Sequence, residues 1–384
     1  MNNKLFLLFL CSTMMLSRIY SAPTPTILDT DIGTDYDDQV ALTYILANPS
    51  IFDLKLVVCS TFNTTARAQI AAKTLAIFKR FDVPVAIGRN TGAESVNEFQ
   101  WAEDYSLDQF QKDGGILYQN GEEALVKELQ KANPNNIYNV IEISPQTSLG
   151  HAIKNLDPEI LKSIRLFSMA GSVYMGYGNG SKPSKEYNIY IDIPAAQTVF
   201  NASWAYFGLA PLDTTIFMQF YGPIWERFYS YRNQSKHVQL IIDSYTVWYN
   251  NGGKHNGALK PFSPKTGTST MFDVLAAFLA ATYPSVIDTV AEQVPLIVTN
   301  DGYTAVNSTL GKPVNASVKF NTPDPYNIHP LKLLACLYLI QLFKAKKNCF
   351  LFAKIILSIK KTDFMSLIFC NEYLPFQFQY SNQN

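Results

Sequence analysis

Strand-like and helix-like segments alternate between residues 24 and 171 of this 384-residue chain, and this order limits the folds open to it. Short apolar runs such as TPTILDT and NVIEIS alternate with longer segments of helical apolar spacing, such as DDQVALTYILAN and ARAQIAAKTLAIFKRF. This order is typical of a parallel sheet whose crossover helices cover both faces. We therefore predict an α/β fold with a Rossmann-like open, mostly parallel sheet and helices on both faces.

Charge is divided unevenly along the chain, although 31 basic and 31 acidic side chains leave no formal net charge. Residues 1–22 carry +2 and residues 329–384 carry +5, so the body between them carries −7. An acidic body and a balanced total exclude a protein that binds nucleic acid through bulk positive charge.

The first 22 residues predict a secretory signal peptide, because Lys4 precedes an apolar run and the small residues Ser21 and Ala22 follow it. The apolar run is too short to span a bilayer, so no transmembrane span is expected. Six N-x-S/T sequons agree with a secreted, extracellular protein. We expect one domain over residues 23–328. The atypical basic and apolar tail, 329–384, is interpreted as a disordered segment, a membrane-contacting segment or an aberrant terminus.

The acidic loop DTDIGTDYDD, residues 29–38, is the strongest chemical signal, with five aspartates in ten positions. Carboxylates crowded at the end of a predicted strand repel one another unless a cation compensates them. Oxygen ligands alone favour Ca²⁺ or Mg²⁺ over zinc. Two alternatives remain at this point. The loop is a solvated acidic helix start, or its D-x-D pattern is that of a Mg²⁺-dependent phosphohydrolase in which Asp29 attacks phosphorus.

Several further motifs follow the acidic loop in order. ILDTDIGTDYDDQVAL is similar to the D-x-D-x-G-x-D-D-A-x-A-L opening of the inosine-uridine-preferring nucleoside hydrolase family, with two extra residues. The chain also resembles that family in VPVAIG, ISPQTSLGHAI, MAGSVYMGYGNGSKPSKEYNIYIDIPAAQTVF and STMFDVLAAFLA. This resemblance implies calcium-dependent hydrolysis of the N-glycosidic bond of ribonucleosides, giving ribose and free base. Because of this resemblance, the Mg²⁺-dependent phosphohydrolase becomes the second hypothesis for the function of the chain.

The resemblance also implies roles for single residues. Ca²⁺ would be bound by Asp31, Asp38, the Thr147 carbonyl and Asp273. Asp31 would also act as general base, with Asn188 as a further catalytic residue. The ribonucleoside's sugar would be bound by Asp37, Asn63, Asn179, Glu186 and Asn188. The two extra residues leave open whether Asp35 or Asp37 binds the ribose.

One departure affects the chemistry. Phe272 stands where many family members have a histidine that protonates the leaving base. A third hypothesis is therefore a non-catalytic secreted nucleoside- or sugar-binding protein. Five aromatic residues of the variable region either cap the base or belong to the core or surface of helices: Tyr229, Tyr231, Tyr245, Trp248 and Tyr249. The sequence leaves open whether the chain forms a homo-oligomer.

Overall fold

Ten strands form one sheet in the computed structural model, which describes residues 22–92, 95–285 and 289–321. They are β1 (Thr24–Thr30), β2 (Phe52–Cys59), β3 (Val85–Ile87), β4 (Leu117–Tyr118), β5 (Tyr138–Ile143), β6 (Ile164–Met169), β7 (Tyr206–Ala210), β8 (Thr289–Val298), β9 (Thr304–Val306) and β10 (Lys312–Phe320). The predicted signal peptide, apart from Ala22, and the tail 329–384 lie outside the described residues and stay predictions.

The sheet is mostly parallel. Its strand order is β4-β3-β2-β1-β5-β6-β7-β10-β8-β9. All pairs from β4 across to β10 are parallel, and only the last two pairs, β10 with β8 and β8 with β9, are antiparallel. The predicted mostly parallel sheet is therefore confirmed, with an antiparallel edge added to it.

Twelve α-helices connect and cover these strands within the described residues. They are α1 (Asp37–Ala47), α2 (Thr64–Phe78), α3 (Leu107–Lys112), α4 (Gly121–Leu129), α5 (Thr147–Ala152), α6 (Pro158–Leu161), α7 (Tyr187–Tyr190), α8 (Ile193–Phe200), α9 (Leu212–Thr215), α10 (Pro223–Ser230), α11 (Lys236–Asn250) and α12 (Val274–Thr282). No helix of the described part is long and apolar enough to cross a membrane.

Both faces of the sheet are buried. On one face Ile27, Val140 and Leu166 belong to a core cluster that includes residues of α4, α5 and α8. The next residues along two of these strands, Leu28 and Ile141, are also fully buried. Because successive side chains of a strand point to opposite faces, layers of the chain must cover the sheet on both sides, as predicted.

The strand order reverses direction at β1. Strands β2, β3 and β4 lie on one side of β1, and β5, β6 and β7 lie on the other. Thr30 at the end of β1 is level with Cys59 on β2 and with Ile143 on β5, so the loops that follow these strands meet at one edge. Such a switch point is where open α/β sheets bind ligands, and it is here that the acidic loop lies.

Candidate active site

Three buried aspartates come together at the switch point. Asp37 and Asp38 occupy the first turn of α1, and Asp273 immediately precedes α12. One carboxylate oxygen of each lies within 4.8 Å of those of the other two, and each residue is at most 5% exposed. Residues far apart in the sequence therefore form one acidic group, which we call the aspartate cluster.

Asp31 lies beside the aspartate cluster. It follows β1 directly and is 6% exposed. Its charge raises the pKa of both Asp38 and Asp273, although burial is the larger cause for each. The structure thus places Asp31 close enough to interact electrostatically with two members of the cluster.

Hydrogen bonds and a glycine hold the cluster in place. The Thr30 hydroxyl donates to Asp38, and the backbone N–H of Asp273 donates to Asp37 Oδ2 at 3.1 Å. Gly33 turns the acidic loop with φ of +108°, and an added Cβ would lie 2.5 Å from Val96 Cγ1. Only glycine meets both the conformation and the space at this turn.

Burial makes the cluster electrostatically unfavourable without a cation. Burial raises the pKa of Asp37 to about 6. Burial and then the charges of the neighbouring aspartates hold the pKa values of Asp38 and Asp273 well above their usual range. The alternative of a solvated acidic helix start does not fit aspartates that are 2% exposed. An oxygen-only, fully buried donor set fits a hard divalent cation.

Thr147 lies at the same edge of the sheet. It is the first residue of α5, after β5, and it is fully buried. Gln146 before it has a left-handed backbone, with φ of +49°. The hydroxyls of Thr61 and Thr147 are 3.3 Å apart, so the loops after β2 and β5 contact each other here.

Glu186 and Asn188 are buried at the start of α7, which follows the loop after β6. The Glu186 carboxylate accepts backbone hydrogen bonds from Gly171 at 2.8 Å and from Asn188 at 2.9 Å. Burial raises the pKa of Glu186 to about 7, and the charge of Asp31 contributes to this shift. Asn188 Nδ2 donates to the Met169 carbonyl at 2.9 Å. The last residue of β6 thus holds Asn188, and the backbone just after β6 holds Glu186.

The remaining predicted sugar contacts are placed differently. Asn63 is exposed, and its side chain caps α2 by accepting a hydrogen bond from the Ala66 N–H at 3.2 Å. Asn179 lies in a 3₁₀ turn, Tyr177–Asn179, and its side chain is outside the described part of the structure.

Asp35 and Asp37 have different environments. Asp35 is half-buried and accepts a hydrogen bond from Asn256. Asp37 is 2% exposed and belongs to the aspartate cluster. Of the two, the structure brings only Asp37 to the group of candidate metal ligands.

An aromatic pair lies next to the aspartate cluster. Phe272, the residue before Asp273, is half-buried, and the Tyr177 ring lies edge-on to it with centroids 6.2 Å apart. The Tyr177 hydroxyl accepts a hydrogen bond from the Tyr187 N–H at 3.1 Å. The Tyr177 side chain as a whole is 43% exposed, but its hydroxyl lies against the backbone at the start of α7. Burial of this hydroxyl, and then the charge of Glu186, raises the pKa of Tyr177, so the hydroxyl stays protonated. The motifs of the sequence did not single out this tyrosine, although its place two residues before Asn179 in a glycine-rich run was an available signal.

The aromatic residues of the variable region divide into two groups. Tyr245 and Trp248 are fully buried and pack with Tyr36, so these two belong to the core. Tyr229, Tyr231 and Tyr249 are half-buried. Of the two alternatives for this region, the core is therefore the one that the structure supports for Tyr245 and Trp248.

Comparison with known proteins identifies the family. The model of the inosine-uridine preferring nucleoside hydrolase family matches residues 26–327. The chain belongs to this family. It is therefore an N-ribohydrolase, and the resemblance seen in its motifs is confirmed.

Individual relatives agree with this assignment. The pyrimidine-specific ribonucleoside hydrolase RihA of Salmonella agona strain SL483 is 29% identical over 238 residues, which cover 59% of this chain and 72% of that protein. The protein of the same name from Escherichia coli O127:H6 is 30% identical over 238 residues, with the same coverage.

Solved structures show the same fold. The plant nucleoside hydrolase PpNRh1 superposes with a TM-score of 0.62 at 18% identity, over 83% of this chain and 99% of that one. The inosine-uridine preferring nucleoside hydrolase of Bacillus anthracis gives a TM-score of 0.59 at 16% identity, with the same coverage. At these identities the likeness concerns the fold alone.

Proposed function

We propose that the protein hydrolyses the N-glycosidic bond of ribonucleosides to ribose and free base, and that it depends on one bound Ca²⁺. The observation that carries this proposal is the buried cluster of Asp37, Asp38 and Asp273 at the switch point of the sheet. Asp31, Asp38, Asp273 and the Thr147 carbonyl are the proposed ligands. When bound, the ion would supply Lewis-acid polarisation of water and would anchor the ribose hydroxyls.

The carboxylates also suit the charge that the reaction develops. As the glycosidic bond breaks, positive charge builds on C1′ and on the ring oxygen of the ribose. Asp31 accepts the proton of the attacking water, whose oxygen forms the new bond to C1′. Asp37, Glu186 and Asn188 bind the ribose hydroxyls, with Asn63 and Asn179 as further proposed sugar contacts. Fixed negative charge around the sugar stabilises the cationic transition state.

The leaving base needs a proton that residue 272 cannot supply, because phenylalanine has no titratable group. The Tyr177 ring lies edge-on to Phe272, and its hydroxyl carries a proton at neutral pH. We assign the protonation of the base to Tyr177. The Phe272 ring gives this side of the site an apolar surface that suits a planar base.

Nucleosides of both base classes are candidate substrates. Relatives near 30% identity are named as pyrimidine-specific ribonucleoside hydrolases, whereas the name of the structurally similar Bacillus anthracis enzyme includes inosine. Secretion remains a proposal that rests on the sequence of residues 1–22 and on the sequons.

The proposal is tested by measuring reducing sugar after the full-length protein is incubated with uridine, cytidine, inosine and adenosine. We expect ribose release that stops when the ion is removed by a chelator and returns with added Ca²⁺. Recovery of ribose release with Mg²⁺ but not with Ca²⁺ would show that the bound ion is Mg²⁺ rather than Ca²⁺. Absence of release from every nucleoside, with Ca²⁺ shown to be bound, would refute the proposed reaction, and tight nucleoside binding in that case would favour the non-catalytic binder.

The phosphohydrolase alternative has a specific difficulty. Asp29, its proposed nucleophile, is fully buried and accepts hydrogen bonds from the Ser60 and Ser144 hydroxyls. Burial raises the pKa of Asp29 to about 6, which weakens it further as a nucleophile at lower pH. Phosphate release from a phosphomonoester, lost in Asp29→Asn, is the result that would support this alternative.

A further inference from the structure

A fully buried arginine lies behind the acidic loop. Arg67, in the first turns of α2, is 0% exposed. Its Nη1 donates to the Asp31 carbonyl and, at 3.2 Å, to the Ile32 carbonyl, and its Nε donates to the Thr61 carbonyl at 2.8 Å. A charged group is costly to bury unless hydrogen bonds compensate it. Moving any of these three carbonyls away from the guanidinium would therefore destabilise the fold.

The carbonyls belong to two loops that the guanidinium joins. Asp31 and Ile32 follow β1, whereas Thr61 follows β2. Thr61 and Phe62 have left-handed backbones, with φ of +68° and +54°. A β-branched residue rarely adopts this conformation, so the turn is strained and needs contacts that hold it. The bond from Arg67 Nε to the Thr61 carbonyl is one such contact.

The strained turn leads to the third loop of the site. The Thr61 hydroxyl lies 3.3 Å from that of Thr147, whose carbonyl is a proposed ion ligand. Arg67 is thus bonded to the backbone of one proposed ligand, Asp31, and is one contact removed from another. Its charge also lowers the pKa of Asp38, against the larger effect of burial.

We propose that Arg67 is a positioning residue for the metal ion. By fixing the backbone of Asp31 and of the 61–62 turn, it keeps the ligands from the loops after β1 and β5 in the arrangement that the ion requires. Its positive charge offsets part of the repulsion among the aspartates. This inference rests on the proposed ion site and adds to it a residue that does not itself contact the ion.

Geometry and charge can be separated by substitution. The guanidinium presents several donors in fixed directions and so reaches both loops, whereas a lysine ammonium keeps the charge on one atom. Arg67→Lys therefore tests the positioning role, and Arg67→Met removes both contributions. Arg165→Lys is the matched control, because Arg165 lies near the start of β6, at the opposite end of the strands from the site, over the Tyr283 ring.

The experiment titrates Ca²⁺ into the ion-free full-length proteins by calorimetry and measures their melting temperatures before the ion is added. Loss of a residue that orients metal ligands weakens metal affinity about 10- to 100-fold. We expect a loss of this size in Arg67→Lys, at least as much in Arg67→Met, and none in Arg165→Lys. Wild-type Ca²⁺ affinity in Arg67→Lys would overturn the inference alone. Absence of Ca²⁺ binding by the wild type would overturn the proposed Ca²⁺ dependence and the inference together.

A second pair of variants decides the matter if Arg67→Lys does not fold. Glycine adopts the left-handed backbone at position 61 without strain, so Thr61→Gly reduces the need for the arginine as a structural support. We compare Thr61→Gly with Thr61→Gly/Arg67→Lys in the same titration. About 10-fold weaker Ca²⁺ binding by the double variant supports the positioning role, and equal binding rejects it.

Discussion

Asp273 combines two functions in one residue. Its carboxylate belongs to the aspartate cluster, and its backbone N–H donates to Asp37 Oδ2 at 3.1 Å. The residue therefore attaches the start of α12 to the start of α1 while it supplies a proposed ligand. A substitution that keeps the shape of the side chain and removes its charge isolates the second function.

Asp273→Asn should lose Ca²⁺ binding and activity together. Asparagine is nearly isosteric with aspartate but carries no charge. Loss of a residue that only orients a metal ligand weakens metal affinity by up to about 100-fold, so loss of a ligand itself should weaken Ca²⁺ affinity by at least about 100-fold. The measurement is Ca²⁺ affinity by calorimetry together with kcat/KM for the best nucleoside. Asp243→Asn, the same change at an exposed position of α11, should leave both unchanged. Full activity in Asp273→Asn would remove this residue from the site.

Tyr177→Phe should lower kcat by about 100-fold, the lower range for loss of a general acid. The ring contact with Phe272 is retained and only the hydroxyl is lost, so Ca²⁺ affinity should not change. Tyr174→Phe is the control, because this exposed tyrosine of the same loop donates its hydroxyl to Glu292. Unchanged kcat in Tyr177→Phe would assign the protonation of the base to another group.

Glu98 should make the stability of the protein depend on pH. Burial raises the pKa of this carboxyl from 4.5 to about 8. Between these two values the folded protein binds a proton that the unfolded chain has released, so stability falls as pH rises, by up to about 1.4 kcal/mol per pH unit. Glu98→Gln has no such proton. Urea denaturation should therefore show Glu98→Gln more stable than the wild type at pH 8, with the difference shrinking towards pH 4.5. Parallel stability curves for the two proteins would contradict this.

At the scale of elements, the sequence predicted the parallel half of the sheet well and the antiparallel edge poorly. TPTILDT is β1, and NVIEIS agrees with β5 to within one residue, because strands buried on both faces are continuous apolar runs. In β8, by contrast, Val290 to Gln293 are exposed, so this strand lacks the same signal. Strand β8 is stabilised by pairing with β10, and the local sequence pattern does not predict that pairing.

The residues of the site were likewise predicted only in part. Asp31, Asp38 and Asp273 were predicted as ion ligands from motifs, and the structure places them at one edge of the sheet. Arg67 and Glu98 were not singled out. Arg67 lies in a helix whose charged residues would ordinarily face solvent, and Glu98 lies in a loop. Their burial results from packing between segments distant in the sequence, which local spacing does not reveal.

The turn of the acidic loop gives a prediction at this scale. Gly33→Ala should destabilise the protein, because alanine would adopt φ of +108° with its Cβ 2.5 Å from Val96 Cγ1 and 2.6 Å from Ile70 Cδ1. Gly114→Ala is the matched control, since Gly114 has φ of +99° with no atom within 4 Å of the added Cβ. The control should cost of order 1–3 kcal/mol of unfolding free energy from its backbone alone. The loss of unfolding free energy in Gly33→Ala should exceed that in Gly114→Ala by about 1–3 kcal/mol because of overpacking. Urea denaturation measures both losses. Equal costs would show that the loop adapts to the methyl group.

At the scale of the whole molecule, the neutral total charge conceals an acidic body of −7 between basic ends. Several of its negative charges lie in the aspartate cluster, where the start of α1, which follows β1, meets the start of α12 beside the loop after β5 that holds Thr147. A cation bound there would connect segments from both sides of the switch point. Ion binding should therefore act on the stability of the whole fold as well as on the reaction.

The stabilisation by Ca²⁺ should grow with pH. Without the ion, burial raises the pKa of Asp37 from 3.8 to about 6, and burial with the neighbouring charges holds those of Asp38 and Asp273 well above their usual range. The ion-free fold therefore holds protons that the unfolded chain releases. Its stability therefore falls as pH rises through this range, whereas the ion keeps the same carboxylates ionised and compensated. We expect the melting temperature of protein with saturating Ca²⁺, minus that of protein freed of ion and desalted, to increase from pH 5 to pH 8. Asp273→Asn, which lacks one proposed ligand, should show a small difference at every pH. A difference that stays constant or shrinks with pH in the wild type would mean that the ion, if it binds, does not bind to these aspartates.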